Sequence, residues 1–256
     1  MKSRYVALGS SMAAGPGIKP RAPGSPLAAG RSARNYPHLV AQRLGYDLVD
    51  VTYSGATTAH VLQDRQHGAP PQVDALDGSE DLVTITIGGN DAGYVPLLFA
   101  ATVPAVLGKL PVLGGALREL LNPTARDAAL DRVGASLRDV GQALRRRSPR
   151  ARIMFVDYLT LLPPAGTPAP PLTADVADLG RHVAQRLATL TAEAAQATGC
   201  EVVPAARASE DHHAWSAQPW TTGAGSLLPW RPKPFHPTAA GMQAVADLIV
   251  ARLQEP

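Results

Sequence analysis

Two adjacent serines, Ser10 and Ser11, follow a short apolar run, Val6 to Gly9, and precede Ala13, Ala14 and Gly15. The small residues suit a tight turn from a strand into a helix. The turn would hold a hydroxyl at a strand's carboxyl end, where helix N–H groups favour the negative charge that develops when serine attacks an ester. Alone, the pair reads more simply as a helix cap. A second candidate is Ser54-Gly55-Ala56-Thr57-Thr58, in which Gly55, without a side chain, lets a backbone N–H approach a reacting oxygen. The third is Gly88-Gly89-Asn90-Asp91 directly after the apolar Thr84-Ile85-Thr86-Ile87. There the Asn90 amide can donate to an oxyanion, and Asp91 is expected to cap the next helix rather than react. The fourth is Phe235-His236-Pro237, where Pro237 biases His236 away from helical geometry and so restricts where its ring projects. Hydroxyl, backbone donor, side-chain amide and imidazole, each at a strand end or helix start, are the parts of a serine hydrolase.

Together these segments resemble the SGNH hydrolases (GDSL-like esterases), whose four named residues fall here on Ser11, Gly55, Asn90 and His236. The resemblance covers nearly the whole chain. It is carried by GGND at Gly88–Asp91 and FHPTAAG at Phe235–Gly241, with SGATT at Ser54–Thr58 like the version in actinobacterial members. It implies a flavodoxin-like fold and a Ser11 nucleophile with His236 as general base. The Ser11 and Gly55 N–H groups and the Asn90 amide are implied as oxyanion donors, and no metal or organic cofactor is implied. Two positions depart from the pattern. Ser10 stands where the family has aspartate, and Lys233 stands where its DxxH motif has the aspartate that orients the histidine. An ammonium cannot accept an imidazole N–H, so the expected arrangement is a dyad oriented by the Lys233 main-chain carbonyl. Glu210 and Asp211 in the preceding loop are the substitutes.

The elements that must position these groups alternate along the chain. Strands are predicted at Tyr5–Gly9, Leu48–Tyr53, Leu82–Ile87, Arg152–Val156 and Glu201–Val203. Between them, Leu130, Val133, Leu137, Val140 and Leu144 recur at helical spacing, as do Val176, Leu179, Val183, Leu187 and Leu190. A last amphipathic helix carrying Met242, Val245, Ile249 and Leu253 begins just after His236, with Thr238 at its cap. Strands separated by helices require parallel crossovers. The expected fold is therefore a three-layer α/β/α sandwich around a mostly parallel five-stranded sheet, one domain over 1–256, with its site at the carboxyl ends of the strands. Three long stretches interrupt the alternation: Met12 to Asn35, the apolar Val95 to Asn122, and Ala205 to Phe235, which holds Trp215, Trp220 and Trp230. The tryptophans are read equally as lining an acyl or sugar site and as fastening a loop. Val95 to Asn122, broken by Pro104, Lys109 and Pro111, is read as a lid or helical hairpin, since a membrane span needs about 20 uninterrupted apolar residues.

Composition narrows the partners. Of 256 residues 45% are hydrophobic and 18% charged, as in a soluble globular domain. The 24 Lys and Arg against 21 Asp and Glu are scattered apart from Arg145, Arg146 and Arg147, which end a predicted helix where cations suit the last carbonyls. No nucleic-acid partner is expected. A single cysteine, Cys200, precludes an internal disulfide and is expected to be a buried, inert thiol. The start of the chain lacks a secretory pattern, so a cytoplasmic protein, or one whose leader has been removed, is expected. His212 and His213 beside Asp211 lack a second ligand cluster and are not read as a metal site. The expected partner is a small-molecule ester (short-chain acyl, lipid or acetyl). A thioesterase, a non-catalytic ligand-binding relative and an interaction module using the apolar insertion are the alternatives.

Overall fold

A computed structural model describes residues 2–102, 111–225 and 233–255. Five strands, β1 (Arg4–Gly9), β2 (Asp47–Asp50), β3 (Leu82–Thr86), β4 (Arg152–Val156) and β5 (Glu201–Val203), form one sheet in the order β2-β1-β3-β4-β5. Every pairing is parallel. β1 lies at the point where the strand order reverses, so its carboxyl end opens into the crevice in which doubly wound sheets bind ligands. The predicted second strand is shortened. Its ladder ends at Asp50, and beyond that Val51 and Tyr53 donate single bonds to the Ala7 and Gly9 carbonyls (both 2.9 Å).

Alternation along the strands sorts the core into two halves. On one face Tyr5, Ala7, Leu82, Met154 and Val203 pack with Tyr36 and Val40 of helix α2 (Tyr36–Leu44) and Met242, Val245 and Ile249 of the C-terminal helix (Ala239–Gln254). On the other, Val6, Leu8, Val83, Ile85 and Phe155 pack with Leu130, Val133 and Leu137 of the helix Pro123–Arg147 and Val183 and Leu187 of the helix Ala174–Ala197. The apolar stripes predicted from 3.6-residue spacing are the faces these helices bury. The three-layer sandwich is as expected. Arg145, in the last turn of the Pro123–Arg147 helix, donates to the Ala151 and Gly199 carbonyls (2.9 and 2.6 Å), a structural use that reaches beyond the helix, whereas the helix's own last carbonyls are the partners expected of the arginine triplet. Cys200 is half-buried rather than buried, its thiol among Thr198 atoms.

Of the apolar Val95–Asn122 stretch, the described part is helical, at Tyr94–Ala100 and Pro111–Leu120. No described helix is long and apolar enough to cross a membrane. In the tryptophan-rich stretch the two described tryptophans act as fasteners. Trp215 donates its indole N–H to the Pro170 carbonyl (3.1 Å), and Trp220 stacks on His212 with centroids 4.0 Å apart. Trp230 lies outside the described residues.

Candidate active site

The site is built at the carboxyl ends of β1 and β3. Gly9, the last residue of β1, has φ +132°, and a Cβ there would lie 2.5 Å from the Thr86 carbonyl oxygen, so glycine alone lets β1 turn this close to β3. The buried Gln72 side chain braces the same residue: its oxygen accepts the Gly9 N–H (2.7 Å) and its amide donates to the Gly9 carbonyl (3.1 Å), which also accepts the Tyr53 N–H (2.9 Å). Ser10 N–H bonds the Thr86 carbonyl (2.9 Å), and Ser11 opens a one-turn helix, α1 (Ser11–Ala14). Ser11 is thus set on a short turn whose strand side is fixed by four hydrogen bonds.

His236 reaches it from the far end of the chain. Its Nε2 lies 2.8 Å from Ser11 Oγ, and its Nδ1 lies 2.7 Å from the Pro234 carbonyl oxygen. The expected Lys233 carbonyl is not the acceptor; it takes the Thr222 hydroxyl proton instead (2.7 Å). The reason is the turn. Phe235 has φ +56°, an unusual conformation for a bulky residue, which folds the Pro234 carbonyl back under the imidazole two residues on. Four contacts hold the turn. The Phe235 N–H bonds the Thr222 and Gly223 carbonyls (both 3.1 Å), the His236 N–H bonds Thr222 Oγ1 (3.1 Å), and the fully buried Phe235 ring packs edge-on against Phe99. Thr238 then caps the following helix by accepting the Gly241 N–H (3.1 Å). Glu210 and Asp211, the expected substitutes, form part of a short 3-10 turn lining a cavity of about 620 Å³ with Asp157, Tyr158 and Arg207. Among the described residues neither bonds His236.

A carbonyl can only accept, so Nδ1 carries the proton, Nε2 is the acceptor, and the Ser11 hydroxyl donates to it. Burial, with a smaller contribution from the Lys233 charge, lowers the His236 pKa to about 4 against the opposing pull of the Pro234 carbonyl. At neutral pH the imidazole is a neutral base already aimed at the serine.

The remaining predicted residues form a linked loop pair. Gly55 has φ +80°, and its neighbour Ala56 gives its carbonyl to the Asn90 amide (2.8 Å), which leaves Asn90 a second amide proton. Among the described residues the Ser11 and Gly55 N–H groups have no hydrogen-bond acceptor. Asp91 does not cap the helix after it. Its carboxylate accepts the N–H (3.0 Å) and hydroxyl (2.6 Å) of Thr58, at the start of the preceding helix α3 (Thr58–Leu62), and so locks the second motif to the third. Gln66 supports the same loop by donating to the Ser54 carbonyl (3.0 Å). Near the metal candidates, His212 Nδ1 lies against the Gln218 carbonyl (2.8 Å) and His213 Nδ1 accepts the Trp215 N–H (3.2 Å), so both rings serve local structure.

The model of the GDSL-like lipase/acylhydrolase family matches residues 7–244. The chain belongs to that family. It is 33% identical over 251 residues to Lipase 2 of Streptomyces coelicolor, covering 95% of this chain and 83% of the relative. Among solved structures, the extracellular lipase of Streptomyces rimosus superposes with a TM-score of 0.79 at 26% identity, over 99% of this chain and 100% of that one. Phospholipase A1 of Streptomyces albidoflavus NA297 superposes with a TM-score of 0.74 at 25% identity, over the whole of both chains. The protein is thus a GDSL-like carboxylic ester hydrolase.

Four residues that shape this GDSL-like site are not marked by the sequence. Pro234 acts through its main chain, which residue identity does not reveal. Gln72 opens a short 3-10 turn and Thr222 lies in a loop, where nothing but proximity in the fold distinguishes them from surface polar residues. Tyr158, just past the end of β4, carried the one available signal: a polar aromatic at the sheet edge where ligands bind.

Proposed function

We propose that this esterase uses Ser11 as nucleophile and His236 as general base, with the Pro234 carbonyl orienting the imidazole in place of a carboxylate. The observation that carries the reading is the unbroken relay of 2.8 and 2.7 Å from Ser11 Oγ through the ring to Pro234 O. Ser11 Oγ attacks the ester carbonyl carbon as its proton passes to Nε2. The oxyanion of the tetrahedral intermediate is assigned to the Ser11 and Gly55 N–H groups and the Asn90 amide, each worth on the order of 3 kcal/mol in comparable sites. Collapse breaks the bond to the leaving oxygen, which takes the Nε2 proton. Water then attacks the acyl-serine as it gives a proton to Nε2, and that proton returns to Ser11 Oγ as the acid leaves.

Acyl lipid esters are the substrate class these surroundings favour. The apolar helix Tyr94–Ala100 places Phe99 against Phe235, adjoining His236, so an apolar element flanks the base. The relatives that are 25% identical or more are described as lipases and a phospholipase A1.

The test is covalent. A fluorophosphonate should label the protein at Ser11 and leave Ser11→Ala unlabelled; Ser11→Ala should also lose all but about one part in 10³ of its turnover of p-nitrophenyl butyrate while keeping its melting temperature. Labelling elsewhere, or full activity in the variant, contradicts the assignment. A non-catalytic binding relative would not be labelled. Acyl preference is read from p-nitrophenyl esters of two to ten carbons. kcat/KM should rise with chain length, and a maximum at acetate would overturn the lipid reading.

A further inference from the structure

The hydroxyl of Tyr158 sits where the two halves of the proposed site meet. It accepts the Gly89 N–H at 2.8 Å and lies 3.4 Å from Ser10 Oγ. Gly89 immediately precedes the oxyanion donor Asn90, and Ser10 immediately precedes the nucleophile Ser11. One buried oxygen therefore touches the chain one residue before each of two groups that must be held in register with a single ester carbonyl.

The fit around this oxygen is close. A Cβ on Gly89 would lie 2.5 Å from the Tyr158 oxygen, so the hydroxyl reaches the Gly89 N–H only because that residue is glycine. The Tyr158 ring is itself fixed, buried and packed edge-on against Tyr94 with centroids 6.2 Å apart. The family aspartate expected before the nucleophile is replaced by Ser10, whose side chain does not cap α1. Burial pushes the Tyr158 pKa up to about 12, so the phenol keeps its proton at any working pH. With the Gly89 N–H as donor to its oxygen, that proton is left to point at Ser10 Oγ.

We infer that Tyr158 is a positioning residue for ester hydrolysis, its hydroxyl bridging the Ser10–Ser11 turn to the Gly89–Asn90 loop so that nucleophile and oxyanion donor keep a fixed separation. The inference rests on the assignment of Ser11 and Asn90 above. Tyr158 touches no reacting atom. Its effect belongs to kcat, because a small displacement between nucleophile and oxyanion donor weakens interactions made only in the transition state and leaves substrate affinity alone.

The experiment is a double-mutant cycle on the full chain with p-nitrophenyl butyrate, comparing Tyr158→Phe, Ser10→Ala and the pair, with Ser11→Ala as reference. Tyr158→Phe should lower kcat about tenfold with KM within about twofold, and Ser10→Ala should lower kcat about threefold. The pair should be no slower than Tyr158→Phe, because both changes break one bridge. The acid limb of the kcat/KM profile should stay in place, since His236 is untouched. The inference is overturned by wild-type kcat in Tyr158→Phe, by single effects that multiply in the pair, by a loss carried in KM, or by a displaced acid limb. Ser10→Ala leaves the Gly89 bond intact and decides the matter if the phenylalanine variant does not fold; unchanged kcat there also overturns it. If Ser11→Ala remains active, the nucleophile assignment has failed; if Ser11→Ala is dead and the bridge variants match wild type, the bridge alone has failed.

Discussion

A histidine without a carboxylate behind it can still be a competent base if something else selects its tautomer, and in this chain that task falls to a main-chain oxygen. Pro234 O holds the Nδ1 proton at 2.7 Å, and burial keeps the ring neutral, with a pKa of about 4. Since kcat/KM reports ionisation in the free enzyme, it should rise through about pH 4 and be flat from about pH 5 upward, as a pH-rate profile with a short-chain ester will show. Lys233 acts on the ring through its charge, and its carbonyl, taken by the Thr222 hydroxyl, does not accept from Nδ1. Lys233→Ala should leave the plateau within about twofold and move the acid limb upward by less than about one unit, because a nearby positive charge no longer opposes the imidazolium. A collapse of the plateau would show that the side chain does more. At this scale the sequence named the residues the proposed mechanism uses, Ser11, Gly55, Asn90 and His236, and located the unusual feature next to Lys233. It missed the acceptor by one residue, because which carbonyl faces the ring depends on the positive φ of Phe235.

Short irregular elements, rather than strands and helices, set the positions of these residues. The turn at Pro234–His236 is stapled by Thr222, whose hydroxyl donates to the Lys233 carbonyl and accepts the His236 N–H. Thr222→Val keeps the shape and removes both bonds. It should cost about 1–3 kcal/mol in urea unfolding and reduce kcat more than it raises KM. The Gly9 turn depends in the same way on Gln72. Gln72→Leu leaves the Gly9 N–H buried without its acceptor and should cost about 1–3 kcal/mol, with a parallel loss of fluorophosphonate labelling rate. Neither residue stood out beforehand, as side chains that bond main chain carry no periodic signature. The regular elements were legible because burial imposes periods of 2 and 3.6 on the apolar residues. Errors gathered at their ends. β2 stops at Asp50, three residues before the apolar run does, and Asp91 bonds back to Thr58 of α3 instead of capping forward.

Over the whole molecule, two buried titrating groups pull stability in opposite directions. His236 is held neutral, with its folded pKa of about 4 below the ordinary 6.5. Its contribution is complete above pH 6.5 and is lost as pH falls toward 4. Asp157 is raised by burial to about 6 from 3.8, against hydrogen bonds from the Ala206 and Ala205 N–H groups. The fold favours its protonated form, so its contribution is complete below pH 3.8 and is lost as pH rises through 6. Between about pH 4 and 6 the two slopes, each at most about 1.4 kcal/mol per pH unit, oppose one another. Asp157→Asn should uncover the His236 term, giving a urea-unfolding stability that falls from pH 6 to pH 4 more steeply than the parent's; an unchanged slope would count against the Asp157 assignment. The three-layer architecture and the family were readable from alternating strands and helices and from GGND and FHPTAAG, whereas these burial-driven shifts arise only when distant segments close over a side chain.

The account rests on the protonation of one ring. Nitrogen-15 NMR of the His236 imidazole at neutral pH should show a neutral ring with the proton on Nδ1 and none on Nε2, titrating near pH 4. A ring protonated on Nε2, or already cationic at pH 7, would leave Ser11 without a base and contradict it.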